Sequence, residues 1–568
     1  MGHQRGRHTA LFAVVVALGL VVAGCGSGGK HSGAPHPGGS AAPAAGSSGI
    51  AATARDRVKQ GGTETVGIQQ WIDQYNPYQV DGAQGDGSWL ASLTLPDLFR
   101  TDASGVPHTD PDVLADAKVT ATSPRQEVTY TLNPKAAWSD GTPLSWRDFR
   151  RQWQDLNGSD PAYLITSSSG YDQISDVRRG ADDHQVVVTF ARPFGSWQQL
   201  FDPLLPAAAA DTPAKFNKGW QAKVPITGGP WTFGATDKTT QTVTLVPWTG
   251  YWGVKPKLDK LVARALSGDA DTDAFLNHEI DVTGAGTPDE YKSLSKAPGT
   301  DIRVGSRWDQ TIMSFSNQGL LADQRLRQAL QHAVDRKALA KVAGSGLPFT
   351  PPVLNSHFYM PNQAGYQDDS GGYGTYDLAA AKRLLDQAGW RDHGAGKPRT
   401  DARGRELKLS YVISSGSPTS SQRAQLVKSM LGQIGVDVEI QTVPANDFFE
   451  KYVNDGKYDL TVFREVDQVY ASQSIPDYQK PVGTNVFENY GEIGTDQLDA
   501  TMRQAAEQTD PAKARALYNQ ADRQLWALAN YLPLFQTPSI HAVTSKLVNE
   551  GSWGMLDANQ YVDTGYVG

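Results

Sequence analysis

The chain has 568 residues, a formal net charge of −8, 20% charged and 39% hydrophobic residues, and a single cysteine. No Lys/Arg block interrupts the body, which argues against a nucleic-acid partner. One Cys excludes an internal disulfide and a Cys-based zinc site, so the core must hold the fold, and a body of this length predicts two or three domains.

The N-terminus reads as a targeting segment. Arg5 and Arg7 precede an apolar run from Leu11 to Val22, too short to span a bilayer comfortably. It ends in Val22-Ala23-Gly24-Cys25, which resembles a bacterial lipobox and implies cleavage before Cys25 and lipid attachment to its sulfur. Residues 25–61 are dominated by Gly, Ser, Ala and Pro and read as a flexible tether.

From Gly62 the sequence "GTETVGIQQWIDQYNPY" predicts a short strand and a loop. Gly85 and Gly87 then read either as a loop that brings backbone close to a ligand or as a surface turn, with Trp89 as an aromatic contact beside them. Val128, Tyr130 and Leu132 alternate with polar residues as in a half-buried strand. Ser139-Asp140-Gly141 is a turn in which Gly can take positive φ. Ser145 and Asp148 have capping-box spacing, and Trp146, Phe149, Trp153 and Leu156 share the face of the helix that follows. Val186 to Phe190 and Thr242 to Val246 are further strands.

The spacing predicts one helix over 323–343, capped by Asp323 and ended by Gly344. A helix capped by Asp377 closes at Gly389. Leu407 to Ile413 alternate as a strand, Val427 to Ile434 repeat at helical spacing, and Val436 to Ile440 alternate again. This order predicts a right-handed βαβ unit with parallel strands. A helix over 446–455 and a strand over 458–463 follow, and ligands of open α/β sheets sit beyond such strand ends. Two tail helices run from Thr495 to Asn530, the second started by Asp510-Pro511.

"LNPKAAWSDGTPLSWRDFRRQW" resembles the extended signature of the solute-binding proteins of oligopeptide and dipeptide ABC importers, family 5. "WTGYWGVKPKLDKLVARAL" is the most specific match: Tyr251, Trp252, Gly253, Lys255, Pro256, Leu258 and Asp259 fall in register with the family. "DQRLRQALQHAVDRKAL" and "YLPLFQTPSI" are also similar, and the likeness runs from about Thr63 to Tyr531. It implies an α/β, two-lobe periplasmic-binding-protein-like fold (type II, cluster C) with an extra subdomain on the first lobe. The expected division is a signal peptide 1–24, tether 25–61, lobe I 62–102, inserted subdomain 103–222, lobe I again 223–316, lobe II 317–532, and a return to lobe I over 533–568.

The resemblance also implies a function. A peptide would bind between the lobes and be handed to a membrane permease driven by a separate ATPase. The protein would be a lipid-anchored monomer on the outer face of the cytoplasmic membrane, with no cofactor, no metal site and no catalytic residue. In peptide-binding members a Trp and then an Asp follow the strand ending here at Phe463, and that Asp pairs with the peptide's α-ammonium. This chain has Phe463-Arg464-Glu465-Val466-Asp467, without the Trp and one residue short. Asp467 is the positional match, Glu465 the substitute and Arg464 a neighbour. Trp308 and Gln310, near the expected crossover between lobes, and Trp89 complete the candidate ligand contacts. The departure leaves nickel chelates, haem and sugars open as ligands, and a peptide-sensing role uses the same chemistry. An exported peptidase is the enzymatic alternative, but no Gly-x-Ser-x-Gly, Gly-rich phosphate loop or His-Glu-x-x-His occurs.

Overall fold

The computed structural model describes residues 49–266, 270–466, 469–483, 485–557 and 559–568. Cys25 and Asp467, two of the residues singled out above, lie outside the described residues.

Ten strands form one mixed sheet: β1 (Thr63–Ile68), β2 (Trp231–Asp237), β3 (Thr242–Pro247), β4 (Lys260–Ala265), β5 (Val282–Gly284), β6 (Thr300–Phe315), β7 (Lys408–Ser414), β8 (Asp437–Val443), β9 (Leu460–Val466) and β10 (Tyr531–Thr544). Their order across the sheet is β8-β7-β9-β6-β10-β5-β1-β4-β3-β2. β6 and β10, of 16 and 14 residues, pair antiparallel and belong to both lobes. Residues 300–306 of β6 pair with 538–544 of β10, and 310–314 pair with 531–536. Register breaks between Ser306 and Gln310. The expected lobe boundaries, at 316 and 532, sit at the ends of these strands.

Lobe I gathers around the buried Trp138, Trp231 and Leu261, and lobe II around Met313, Leu330 and Leu409. In lobe II, β7 pairs parallel with β8 and with β9. The helix Pro418–Gly432 joins β7 to β8, as the βαβ reading expects. Gln310 to Phe315 are all buried, so this half of β6 has both faces covered and shows no polar alternation.

On lobe I, strands Leu114–Ala121, Glu127–Leu132, Gln185–Phe190 and Ile174–Arg179 form a separate antiparallel sheet, in that order. The helix Trp146–Leu156 begins with the expected capping box. The Ser145 amide donates to the Asp148 carboxylate at 2.9 Å, and Phe149 and Leu156 are fully buried. Gly141 takes φ +87° in the turn before it.

Three expectations change. Residues 49–61, read as tether, are packed against the C-terminal segment. Ile50 and Val58 are buried, the Thr53 amide donates to Asn549 at 2.7 Å, and Arg55 pairs with Asp563 at 2.6 Å. The helix predicted over 323–343 is two, Gln324–Ala333 and Arg336–Ala343. Asp335 breaks it by accepting from the Ala338 amide at 3.1 Å, a second N-cap. Gly85 and Gly87 open the helix Gly85–Thr94 instead of forming a loop.

Two buried polar networks make the fold testable. Asp522 accepts from the Ser356 hydroxyl (2.6 Å), the His357 amide (3.1 Å) and His357 Nδ1 (2.6 Å), and both Asp522 and His357 have no exposed surface. Asp522→Ala strands three buried donors and is expected to cost at least about 3 kcal/mol, read as a lower urea midpoint. Glu64 on β1 and Glu550 in the C-terminal segment are both buried. Burial, foremost, pushes the Glu550 carboxyl up to about 7 and raises Glu64 well above the usual range, with the Glu550 charge adding to the Glu64 shift. Each is therefore protonated more readily folded than unfolded. Their favourable contribution is complete below pH 4 and is lost as pH rises toward 7. Wild-type stability should fall between pH 5 and 8 more steeply than that of Glu550→Gln, whose amide does not titrate. Parallel slopes in urea titrations across that range would contradict this.

Candidate ligand-binding cleft

A cleft of about 3640 Å³ opens between the lobes, several times the volume of an ordinary small-molecule pocket. Lobe I and its subdomain contribute Tyr78, Ser88 and the hydroxyl-rich run from Thr166 to Ser169. Thr311 of β6 and Phe535 of β10 line its floor. Lobe II contributes the C-terminal ends of β7 and β9, the start of the helix Pro418–Gly432, and residues between Ser472 and Tyr490.

The period-2 geometry of β9 sorts its last residues. Phe463 packs with Phe449 and Tyr490, with ring centroids 5.5 and 5.8 Å away. Glu465 follows on the same face, beside this aromatic wall. There it meets Asp477 and Glu488, one carboxylate oxygen of each residue lying within 4.8 Å of the others. Asp477 is buried, Glu465 half-buried and Glu488 exposed. Burial first, then the charges of Glu465, Glu488 and Asp477, hold the Tyr490 hydroxyl above its usual range. Three carboxylates at this spacing favour a cation: an ammonium donating to their oxygens through charge-assisted hydrogen bonds, or a hard metal ion.

Arg464 also lines the cleft but faces the other side of the strand, where its guanidinium lies 3.4 Å from Asp309. Asp309 also binds Arg307 at 2.8 Å. Burial and Arg307 lower Arg464 from its ordinary value, with Asp309 opposing them.

The other candidates stand elsewhere. Gln310 is the cross-strand partner of Glu465, yet it is fully buried and its amide donates to the His357 carbonyl at 3.3 Å. Trp308 is not among the cleft residues; it packs on the satellite core of Leu354, Met360 and Met555. Trp89 is likewise outside the cleft and meets the edge of Tyr561 at 5.7 Å. Sequence reasoning missed Asp477, Glu488 and Tyr490. They come from short turns with no period to reveal them.

The described residues thus make a two-lobe α/β body, with an extra subdomain, around a deep acidic cleft. This is the architecture of a periplasmic-binding-protein-like solute receptor. Residues 112–475 match the pattern described as "Bacterial extracellular solute-binding proteins, family 5 Middle", and the chain belongs to that family. The oligopeptide-binding protein OppA of Mycobacterium tuberculosis is 36% identical over 515 residues, covering 90% of this chain and 85% of OppA. Among solved structures, the periplasmic EDTA-binding protein EppA superposes with TM-score 0.81 at 26% identity, covering 90% of this chain and 97% of EppA. The oligopeptide-binding protein AppA of Bacillus subtilis, solved with a nonapeptide, shares the fold at TM-score 0.70 and 17% identity, covering 90% of this chain and 100% of AppA. Among the described residues no helix is long and apolar enough to cross a membrane.

Like charges converge in this cleft, so removing one should relieve the ligand-free protein. Glu488→Gln, at the exposed corner of the triad, is expected to raise the urea midpoint by about 0.5 kcal/mol equivalent at low salt, fading at high salt. A lowered midpoint would show that Glu488 is held by attraction instead.

Proposed function

We propose that this chain is the substrate-binding component of an ABC importer that captures peptides with a free amino terminus and passes them, chemically unaltered, to a membrane permease driven by an ATPase. The observation that carries this reading is the charge of the cleft. Its described lining cations are Arg423, Lys451, Lys457 and Arg464, and they stand against ten carboxylates. An anionic metal chelate would enter against that field, whereas a peptide ammonium is drawn by it. Glu465, Asp477 and Glu488 then serve as the ammonium anchor, with Asp467 proposed from the family match as a further ligand contact. Phe449, Phe463 and Tyr490 give the first side chain an apolar wall without selecting its identity.

The likeness to OppA supports a peptide over a sugar or haem. The likeness to EppA favours a chelate on shape, but the charge of the lining opposes it. We take the protein to act as a monomer held to the outer face of the cytoplasmic membrane by a lipid on Cys25, with the short tether ending before the docked residues 49–61. No step of this reading requires catalysis.

Calorimetry with a pentapeptide and its N-acetylated twin tests the assignment. Acetylation and Glu465→Gln are each expected to weaken binding at least tenfold, about 1.4 kcal/mol, and their effects should not add. Equal affinity for the two peptides would remove the triad from the site.

A further inference from the structure

Two parts of the molecule that are remote in the chain meet at the rim of the cleft. The loop after Phe194 belongs to the subdomain on lobe I. Its Gly195 amide donates to the carbonyl of Ala506 at 2.7 Å, in the last turn of the helix Asp496–Glu507. Carbonyls there have no partner inside the helix, so the bond satisfies one of them across the seam. The approach is close: a Cβ on Gly195 would collide with the Gln508 carbonyl oxygen. The next residue, Ser196, accepts through Oγ from the Ser472 hydroxyl at 2.8 Å. Two residues before Ser472, the Tyr470 hydroxyl is raised well above its usual range by burial and then by the charge of Asp202. Tyr470 in turn adds to the shift of Tyr130, in the subdomain sheet.

The lobe II side of this contact is continuous with the carboxylate triad. Ser472 lies in the turn Ala471–Ser474, which runs directly into the helical turn Ile475–Tyr478 carrying Asp477. Ala471 and Tyr478 are both fixed in the same core cluster as Phe463. Phe194, Ser472 and Ala506 all line the cleft. One short segment therefore has the rim contact at one end and the triad at the other.

We propose that Gly195 and Ser196 with Ala506 and Ser472 form a latch that holds the cleft shut, and that the segment Tyr470–Tyr478 links the latch to the triad. This rests on the reading of the cleft as a site that closes on a cationic ligand. A cation among the three carboxylates cancels the repulsion acting on Asp477. The segment then keeps the position from which Ser472 reaches Ser196. Ligand and latch stabilise the same conformation, so each strengthens the other.

The test uses Ser196→Cys with Ser472→Cys in a Cys25→Ser background, so that the two new thiols are the only ones. Saturating free-amine pentapeptide is expected to speed disulfide formation at least tenfold. Oxidation of the loaded protein should slow peptide release at least a hundredfold, reversibly with reductant. Gly195→Ala, which carries no thiol, should weaken peptide binding about tenfold while leaving the triad intact. If wild type binds peptide but the disulfide forms equally fast without it, or if the oxidised empty protein still loads freely, the latch is overturned. If wild type binds no peptide, the proposed ligand fails instead. The latch is then judged by small-angle scattering, where the oxidised protein must be more compact than the reduced one and an unchanged radius would overturn it.

Discussion

The whole molecule depends on one antiparallel pairing. β6 and β10 exchange main-chain hydrogen bonds along their length, and each has one end against the small core of Phe275, Leu294 and Ile540 and the other in the lobe II core. A backbone amide or carbonyl buried without a partner costs as much as a lost hydrogen bond, so neither lobe can leave the sheet without opening this ladder. The slack is local. Between Ser306 and Gln310, and again between Thr311 and Ile312, the register shifts, and a short break in a continuous ladder is where a hinge costs least.

That mechanical arrangement gives the charge pattern its effect. Acidic side chains crowded on one wall repel each other through a water-filled gap at modest cost, because water screens them. When the gap narrows, screening falls and the same charges become expensive unless something positive lies between them. An acidic cleft that can close therefore favours the open state when empty and the closed state when it holds a cation. In the proposed reading, selectivity for the ligand's charge would follow from closure as much as from contact. In the same reading the aromatic wall beside the triad would add affinity without reading identity, which suits a receptor for many side chains.

Much of the fold was legible in the sequence because it is written locally. The Ser145–Asp148 capping box, the Gly141 turn and the β7–helix–β8 unit depend on neighbours in the chain, and the family phrases placed them in a two-lobe body. What failed was also local in origin. Asp335 reads as one more polar residue on a helix until its side chain is seen capping Ala338. Trp89 and Trp308 lie near motif residues in sequence, but their rings turn into other packing. Residues 49–61 have a tether's composition and still dock, because the C-terminal segment offers them a surface no local window contains. The site divides in the same way. Glu465 was marked by its place after a strand, whereas Asp477 and Glu488 join it only through tertiary folding.

The central claim is that an unaltered peptide is held between the lobes by its free amino terminus. Native mass spectrometry of the full chain, purified and then offered an equimolar mixture of short peptides, a nickel chelate and an oligosaccharide, tests it most directly. The account predicts complexes whose added masses equal intact peptides and whose yield falls when amino termini are blocked. Retention of the chelate or the sugar in place of peptide, or return of the peptides as fragments, would contradict it.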